Sequence, residues 1–106
     1  MTGNYLVYWD DNFHYLDGNS VFSSKHSTAE AAIAAAKLIV DEYLQSAWEP
    51  GIAADALYRS FVAFGEDSFV VAPEGSPPVM FSSWDYAKRR SEQMAAVDER
   101  VGDVQP

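Results

Sequence analysis

Residues 5–9 read Tyr5-Leu6-Val7-Tyr8-Trp9, and this stretch decides the fold class. Aromatic and branched side chains favour extended backbone, so the stretch predicts a β-strand. Because side chains alternate along a strand, Tyr5, Val7 and Trp9 face one way, and Leu6 and Tyr8 face the other. A strand with one solvated face would carry polar residues at every second position. Either both faces of the sheet are covered, or one face presents aromatic rings to a partner.

Turn-forming residues divide the rest of the N-terminal region. Asp10-Asp11-Asn12 and Asp17-Gly18-Asn19 are turn signals. Between these turns, residues 13–16 allow a short strand or an irregular return, and Ser20–Ser24 predicts another short strand. Two further strands are predicted later in the chain, at Ser68–Ala72 and, as an edge strand after two prolines, at Val79–Phe81.

Two helices have clear start signals. Ser27-Thr28-Ala29-Glu30 has the pattern of a capping box, in which the Ser27 hydroxyl accepts a hydrogen bond from the third helical N–H and Glu30 reaches back. The apolar stripe that follows predicts a helix to about Ser46, and its many alanines allow close approach to a sheet. Ser82-Ser83-Trp84-Asp85 opens the last helix in a similar way.

The segment Ala53–Phe64 is ambiguous. Its apolar residues have helical spacing, and Gly65 stands where a C′ glycine ends a helix. The alternative keeps one helical turn and pairs Phe61–Phe64 with Phe69–Ala72 in a hairpin, so that the second half of the chain would echo the first. We favour the helix.

These elements predict an α+β fold, with a small antiparallel sheet of three to four strands and about three helices mainly on one face. A single compact domain is expected to span residues 1–96. Residues 97–106 lose the helical periodicity, so we expect them to form a disordered tail.

The composition argues against several classes of protein. The chain has 106 residues and no cysteine, so disulfides and thiolate-bound metals are excluded. No apolar run approaches the roughly 20 residues of a membrane span, and the first residues lack the regions of a signal peptide. We therefore expect a cytoplasmic protein without membrane contact. The net charge of −9 repels phosphate, which argues against direct nucleic-acid binding.

Three stretches together are similar to a known family: Tyr8-Trp9-Asp10-Asp11-Asn12-Phe13-His14-Tyr15, Phe64-Gly65-Glu66-Asp67 and Trp84-Asp85-Tyr86-Ala87-Lys88. The chain resembles, from Tyr5 to about Met94, a family of small uncharacterised bacterial proteins of similar length with no assigned activity. Members of that family commonly carry a proline after the Gly-Glu-Asp turn, where this chain has Ser68. Such a proline fits a helix followed by a turn better than the middle of a hairpin. The resemblance implies no functional residues.

The sequence contains no recognisable catalytic or metal-binding arrangement. Oxygen donors and an imidazole stand close together at Asp10, Asp11, Asn12, His14 and Asp17. Their spacing does not match a calcium loop, because Tyr15 stands where glycine is needed and Val21 where the bidentate glutamate is needed. No nucleophile elbow or glycine-rich phosphate loop is present. We expect no catalytic residue, metal or cofactor. We interpret Lys88-Arg89-Arg90 as offsetting nearby acids or the dipole of their own helix.

Aromatic residues are more numerous than one small core must hold, with six phenylalanines, six tyrosines and three tryptophans. We predict an aromatic interaction patch of Tyr5, Tyr8, Trp9, Phe13, Tyr15, Trp48 and Trp84. Its polar rim is predicted to consist of Asp10, Asp11, His14, Glu66 and Asp67.

This patch suggests a non-catalytic interaction module that binds a protein partner or forms a homodimer, since tyrosine and tryptophan anchor interfaces. One alternative is a small-molecule binder or modest enzyme with its site at His14 and the Asp10–Asp17 loop. Another is an acidic mimic that occupies the nucleic-acid site of a basic protein.

Overall fold

The computed structural model describes the backbone of residues 3–12 and 20–104 and the side chains in these ranges up to residue 96. The elements are β1 (Tyr5–Asp11), β2 (Val21–His26), α1 (Ala29–Ala47), α2 (Ala54–Phe64), β3 (Glu66–Val71) and α3 (Ser83–Val104). The strands form one antiparallel sheet in the order β2-β1-β3, with β1 in the centre. The predicted α+β class is confirmed.

Helix α1 packs against one face of the sheet. Val7 at the centre of β1 is fully buried with Ala32 and Ala36, two small residues that let the helix backbone come close to the strand. Ser68 of β3 is buried on the same side and donates a hydrogen bond to the backbone carbonyl oxygen of Ala36 at 2.7 Å. The alanine-rich face of α1 therefore serves the close approach that the sequence predicts.

The three helices share a second cluster. Its fully buried members are Val40, Leu44, Leu57, Phe61 and Ala87, which come from all three helices. Phe61 lies between two other rings, with centroids 6.1 Å from Tyr43 and 5.6 Å from Trp84 in edge-to-face geometry. Such pairs add roughly 0.5–1.5 kcal/mol each beyond the area that they bury.

The sequence locates the start of α3 correctly and places the cap of α1 one residue too early. The N-cap of α1 is Thr28, whose Oγ1 accepts a hydrogen bond from the Ala31 N–H at 3.1 Å. The predicted capping box was therefore wrong by one residue, since Ser27 precedes the cap and Glu30 occupies the second helical position. At α3, Ser82 Oγ accepts from the Asp85 N–H at 3.2 Å, as the sequence pattern indicates.

The ambiguous segment Ala53–Phe64 is helical, so the hairpin alternative was wrong. The predicted strand at Val79–Phe81 was also wrong, because these residues form no strand. The two prolines before it carry no N–H to donate to a sheet, and the Phe81 side chain packs against the cluster around Val7. The segment therefore leads into α3 without pairing.

Two sequence predictions concern residues at or beyond the limits of the description. The possible strand at residues 13–16 lies outside the described residues. Helix α3 continues to Val104, beyond residue 96, where the sequence places the end of the compact domain. The disordered tail expected for residues 97–106 stays a prediction.

Gly65 ends α2, although not in the left-handed conformation that a C′ glycine adopts, since its φ is −78°. Its N–H donates to the carbonyl oxygen of Phe61 at 2.8 Å. A Cβ atom here would lie 2.5 Å from Phe61 Cδ1 and 2.8 Å from that carbonyl oxygen. Glycine is therefore required by the close approach of Phe61 and not by backbone dihedral angles.

We expect Gly65→Ala to lower the free energy of unfolding by about 1–3 kcal/mol, because the added methyl group overpacks against the Phe61 ring and backbone. Urea unfolding followed by circular dichroism measures the change. Ala63→Ser, at an exposed position on the last turn of the same helix, is the control and should change it by no more than about 0.5 kcal/mol. Equal stability of Gly65→Ala and wild type would contradict the packing argument.

Candidate functional site

The sheet face opposite α1 carries apolar side chains. In β1, Leu6 and Tyr8 alternate with the buried Val7 and so point away from the helix. Leu6 is opposite Val71 of β3, and Tyr8 is opposite Phe69, so these four side chains share one face. Among the described residues, neither buried cluster contains any of the four.

A β-bulge in β2 adds Phe22 to this face. Val7 is opposite Ser24, but the next residue of β1, Tyr8, is opposite Phe22, which leaves Ser23 as an extra residue. Without the bulge, Phe22 would be opposite Trp9 and would turn towards the α1 side, because a shift of one residue exchanges the two faces of a strand.

We call Leu6, Tyr8, Phe22, Phe69 and Val71 the open face. The Tyr8 ring is stacked on Phe69, with centroids 5.8 Å apart, and meets Phe22 edge-on at 5.6 Å. Phe22 and Val71 keep 52% and 43% of their surface exposed, and the other three residues are half-buried. The open face is thus an apolar surface in contact with solvent, and the exposed Lys25, opposite Leu6, lies at its edge on the same side of the sheet.

The predicted aromatic patch is distributed over both sides of the sheet. Tyr8 lies on the open face, whereas Tyr5 packs beside the Val7 cluster on the α1 side. Trp9 is half-buried and shares the α1 side by strand alternation. Two members lie outside the described residues, Phe13 and Tyr15.

The remaining members of the predicted patch, Trp48 and Trp84, pack against the helical cluster. Sequence reasoning missed Phe22 and Phe69 as the neighbours of Tyr8. Phe69 could have been predicted, because side chains alternate between the two faces along the strand that follows Gly65. The position of Phe22 depends on the bulge, which no sequence pattern indicates.

The predicted acidic rim is divided between the two faces at one end of the sheet. Asp10 is opposite Asp67, and strand alternation places both on the side of the open face. Asp11 is opposite Glu66 on the α1 side. His14 lies outside the described residues. Like charges directly opposite each other in a sheet are in general unfavourable.

A cavity of about 500 Å³ opens where the acidic end of the open face meets the helices. Its described lining residues are Asp10, Asn12, Val62, Asp67 and Trp84. Phe61 contacts two of these lining residues. Its ring packs edge-to-face against the Trp84 indole, and its carbonyl oxygen accepts a hydrogen bond from Asn12 Nδ2 at 2.9 Å.

Both carboxylates of this cavity are oriented by hydroxyl groups. Ser20 Oγ donates to Asp10 Oδ1 at 2.6 Å, and Ser83 Oγ donates to Asp67 Oδ1. A carboxylate has about four lone-pair sites, so one hydroxyl donor leaves acceptor capacity on each group. The cavity combines oriented anionic oxygens with an aromatic ring, which suits binding of a cation.

The α1 side of the acidic end has a different character. Burial raises the pKa of Glu66 above its usual range, and the nearby carboxylates of Asp11 and Glu42 raise it further. Neighbouring negative charges and partial burial both disfavour the ionised form of this side chain.

The basic triplet Lys88-Arg89-Arg90 contributes one ion pair. Arg90 Nε lies 3.2 Å from Asp41 Oδ1 on α1, and the Tyr86 hydroxyl donates to the same carboxylate at 2.8 Å. Burial and the contact with Asp41 raise the pKa of Tyr86. The interpretation that the triplet offsets nearby acids is confirmed for Arg90.

Within residues 3–12 and 20–96, no three histidine or acidic side chains are grouped so that they could hold a metal ion. None of the helices in the described part of the chain is both long and apolar enough to cross a membrane.

Comparison with protein-family models, with curated proteins and with solved structures finds no significant match. The resemblance to a family of small bacterial proteins therefore stays a prediction.

We expect Glu66→Gln to stabilise the protein near neutral pH. Because the pKa of Glu66 is raised on folding, its contribution to stability is present below the ordinary value of 4.5 and is lost as the pH rises through the raised pKa. Glutamine removes that loss. The side chain is half-buried and water still screens part of its charge, so we expect a gain in Tm of roughly 1–3 °C at about pH 7 and no gain at about pH 3.5.

Thermal unfolding followed by circular dichroism at both pH values measures this effect. Glu74→Gln, at an exposed position in the loop after β3, makes the same charge change and should leave Tm unaltered. A gain of equal size at both pH values would show that ionisation of Glu66 is not its cause.

Proposed function

We propose that the protein is a non-catalytic, cytoplasmic interaction module whose open face binds a basic segment of another protein. The supporting observation is the contiguous ring surface of Tyr8, Phe22 and Phe69, of which Phe22 is 52% exposed. Aromatic side chains are the usual anchors of protein interfaces, because each buries a large area at a small loss of conformational freedom.

The open face is a more suitable docking surface than the free edge of β2. An unpaired edge strand can accept an added strand, but bulges and charged side chains oppose that pairing. The β2 edge has the bulge at Ser23 and the exposed Lys25. We therefore expect a partner to bind through side-chain contacts on the open face and not through backbone pairing at the β2 edge.

Charge favours a basic partner over a second copy of the chain. Sixteen acidic residues stand against seven basic ones, so two copies repel each other, whereas a cationic protein is attracted. Asp10 and Asp67 concentrate negative charge at one end of the open face. Complementary charge of this kind speeds association and orients the partner, while the apolar rings supply binding energy.

We expect Phe22→Ser to remove binding of the partner, because it deletes the most exposed ring of the open face. Leu38→Ser is the matched control, since Leu38 is 56% exposed but lies on α1, on the other side of the sheet. Tagged wild type and both variants are used to capture proteins from a lysate of the source organism. A partner should be retained by wild type and Leu38→Ser and lost with Phe22→Ser.

The captured protein should contain a basic segment and should dissociate as salt is raised from about 0.05 M to about 0.5 M, because screening weakens charge attraction. Identical capture by all three proteins would overturn the proposal. So would sedimentation of the pure wild type as a dimer that Phe22→Ser converts to a monomer, since the open face would then bind a second copy.

A further inference from the structure

We propose that the cavity lined by Asp10, Asp67 and Trp84 is a binding site for the guanidinium group of an arginine side chain. This proposal deepens the interaction-module proposal, on which it rests for the source of the arginine, a basic segment of the partner protein. Its physical basis is the chemistry of the cavity walls, their rigidity and their position next to the open face.

The walls present the groups that a guanidinium ion binds. Two carboxylates from neighbouring strands can accept its N–H donors, and an indole ring attracts a cation through its π-electrons. None of the described lining residues is a lysine or an arginine, so the part of the cavity that the structure describes contributes no competing cation. A volume of about 500 Å³ accommodates the planar group together with part of its aliphatic stem, which Val62 can contact.

Arginine fits these walls better than lysine does. Asp10 and Asp67 stand opposite each other on adjacent strands, where side chains are about 5 Å apart at Cβ. A guanidinium fork can donate to two carboxylates at once and stack on an aromatic ring, whereas an ammonium group is a strongly hydrated point charge. Binding also turns the repulsion between the two aspartates into two attractive contacts.

The cavity is held in shape before any ligand arrives. The hydroxyl groups of Ser20 and Ser83 orient the two carboxylates, and Asn12 is tied to the Phe61 carbonyl oxygen. Edge-to-face contact with Phe61 fixes the indole of Trp84. A prearranged site loses less conformational freedom on binding than a mobile one does.

The register of the sheet connects this cavity to the open face. The Asp10–Asp67 pair lies two residues along from the Tyr8–Phe69 pair on the same side. An extended segment that lays apolar side chains on the rings therefore brings its next same-side residue, about 7 Å away, to the cavity. The partner that fits is an extended segment in which an arginine follows apolar residues at alternating positions.

The test is a titration of the pure protein, followed by two-dimensional ¹H–¹⁵N NMR. The ligand is arginine capped at both ends, so that guanidinium is its single charge, and equally capped lysine is compared. We expect the indole N–H signal of Trp84 to shift saturably with capped arginine and to show weaker binding of capped lysine. The absence of a saturable shift, or equal affinity for lysine, would overturn the guanidinium site.

We expect Asp10→Asn and Asp67→Asn each to weaken binding of capped arginine about threefold to tenfold, because each removes one charged acceptor. Glu74→Gln changes the net charge equally in the loop at the other end of β3 and should bind like wild type. Thermal melts verify that the variants are folded. Equal weakening in Glu74→Gln would show that net charge, not the cavity, attracts the ligand.

A capped peptide with the sequence Leu-Thr-Phe-Thr-Arg distinguishes a protein segment from a free small molecule as the source of the arginine. We expect it to bind at least about tenfold more tightly than capped arginine, and Phe22→Ser to abolish this advantage. Equal affinity of peptide and capped arginine would overturn the protein source.

The two proposals fail separately. Partner capture that depends on Phe22, without binding of capped arginine, overturns the cavity site alone. Binding of capped arginine with capture that does not depend on Phe22 overturns the interaction module, and with it the protein source of the arginine, but not the guanidinium site.

Discussion

The contact between the Phe61 ring and Gly65 is the constraint on which the rest of the structure depends. Phe61 is fully buried at the end of α2, with Tyr43 and Trp84 against its ring. Its carbonyl oxygen accepts hydrogen bonds from the Gly65 N–H and from Asn12 Nδ2. Burial of one phenylalanine contributes roughly 1.5–3 kcal/mol. Here the same residue also joins the end of β1, the start of β3 and the start of α3.

The two faces of the sheet differ because α1 packs against one of them and leaves side chains of the opposite face exposed. Ala32 and Ala36 let α1 lie close to Val7, and Ser68 fastens β3 to the same helix. The opposite face carries Tyr8 and its neighbouring rings instead of polar residues. A sheet with one solvated face normally alternates apolar and polar residues. The departure from that rule is the physical reason to assign the open face to binding.

The sequence predicts those features that depend on local periodicity. The apolar stripe of α1 and the helical spacing before Gly65 identified α1 and α2, and Ser82 located the start of α3. Features that depend on tertiary contacts could not be predicted from the sequence. Gly65 is needed because Phe61 comes close to it from one helical turn away.

The surface itself was only partly predictable for the same reason. Aromatic excess indicated that rings reach solvent, and among the described residues Phe61 is the one aromatic side chain that is fully buried. Which rings meet was decided by strand register. One extra residue, Ser23, moves Phe22 next to Tyr8. The sequence identified the acidic residues of the rim. Strand alternation, however, places the Asp10–Asp67 pair on one face of the sheet and the Asp11–Glu66 pair on the other.

This separation gives the two acidic pairs different surroundings. Asp11 and Glu66 face the helix side, where burial and the carboxylates of Asp11 and Glu42 raise the pKa of Glu66. Asp10 and Asp67 lie on the other side, beside an indole and an apolar wall. Like charges directly opposite each other in a sheet are unfavourable, and in the proposed complex a guanidinium ion between the two carboxylates offsets that repulsion.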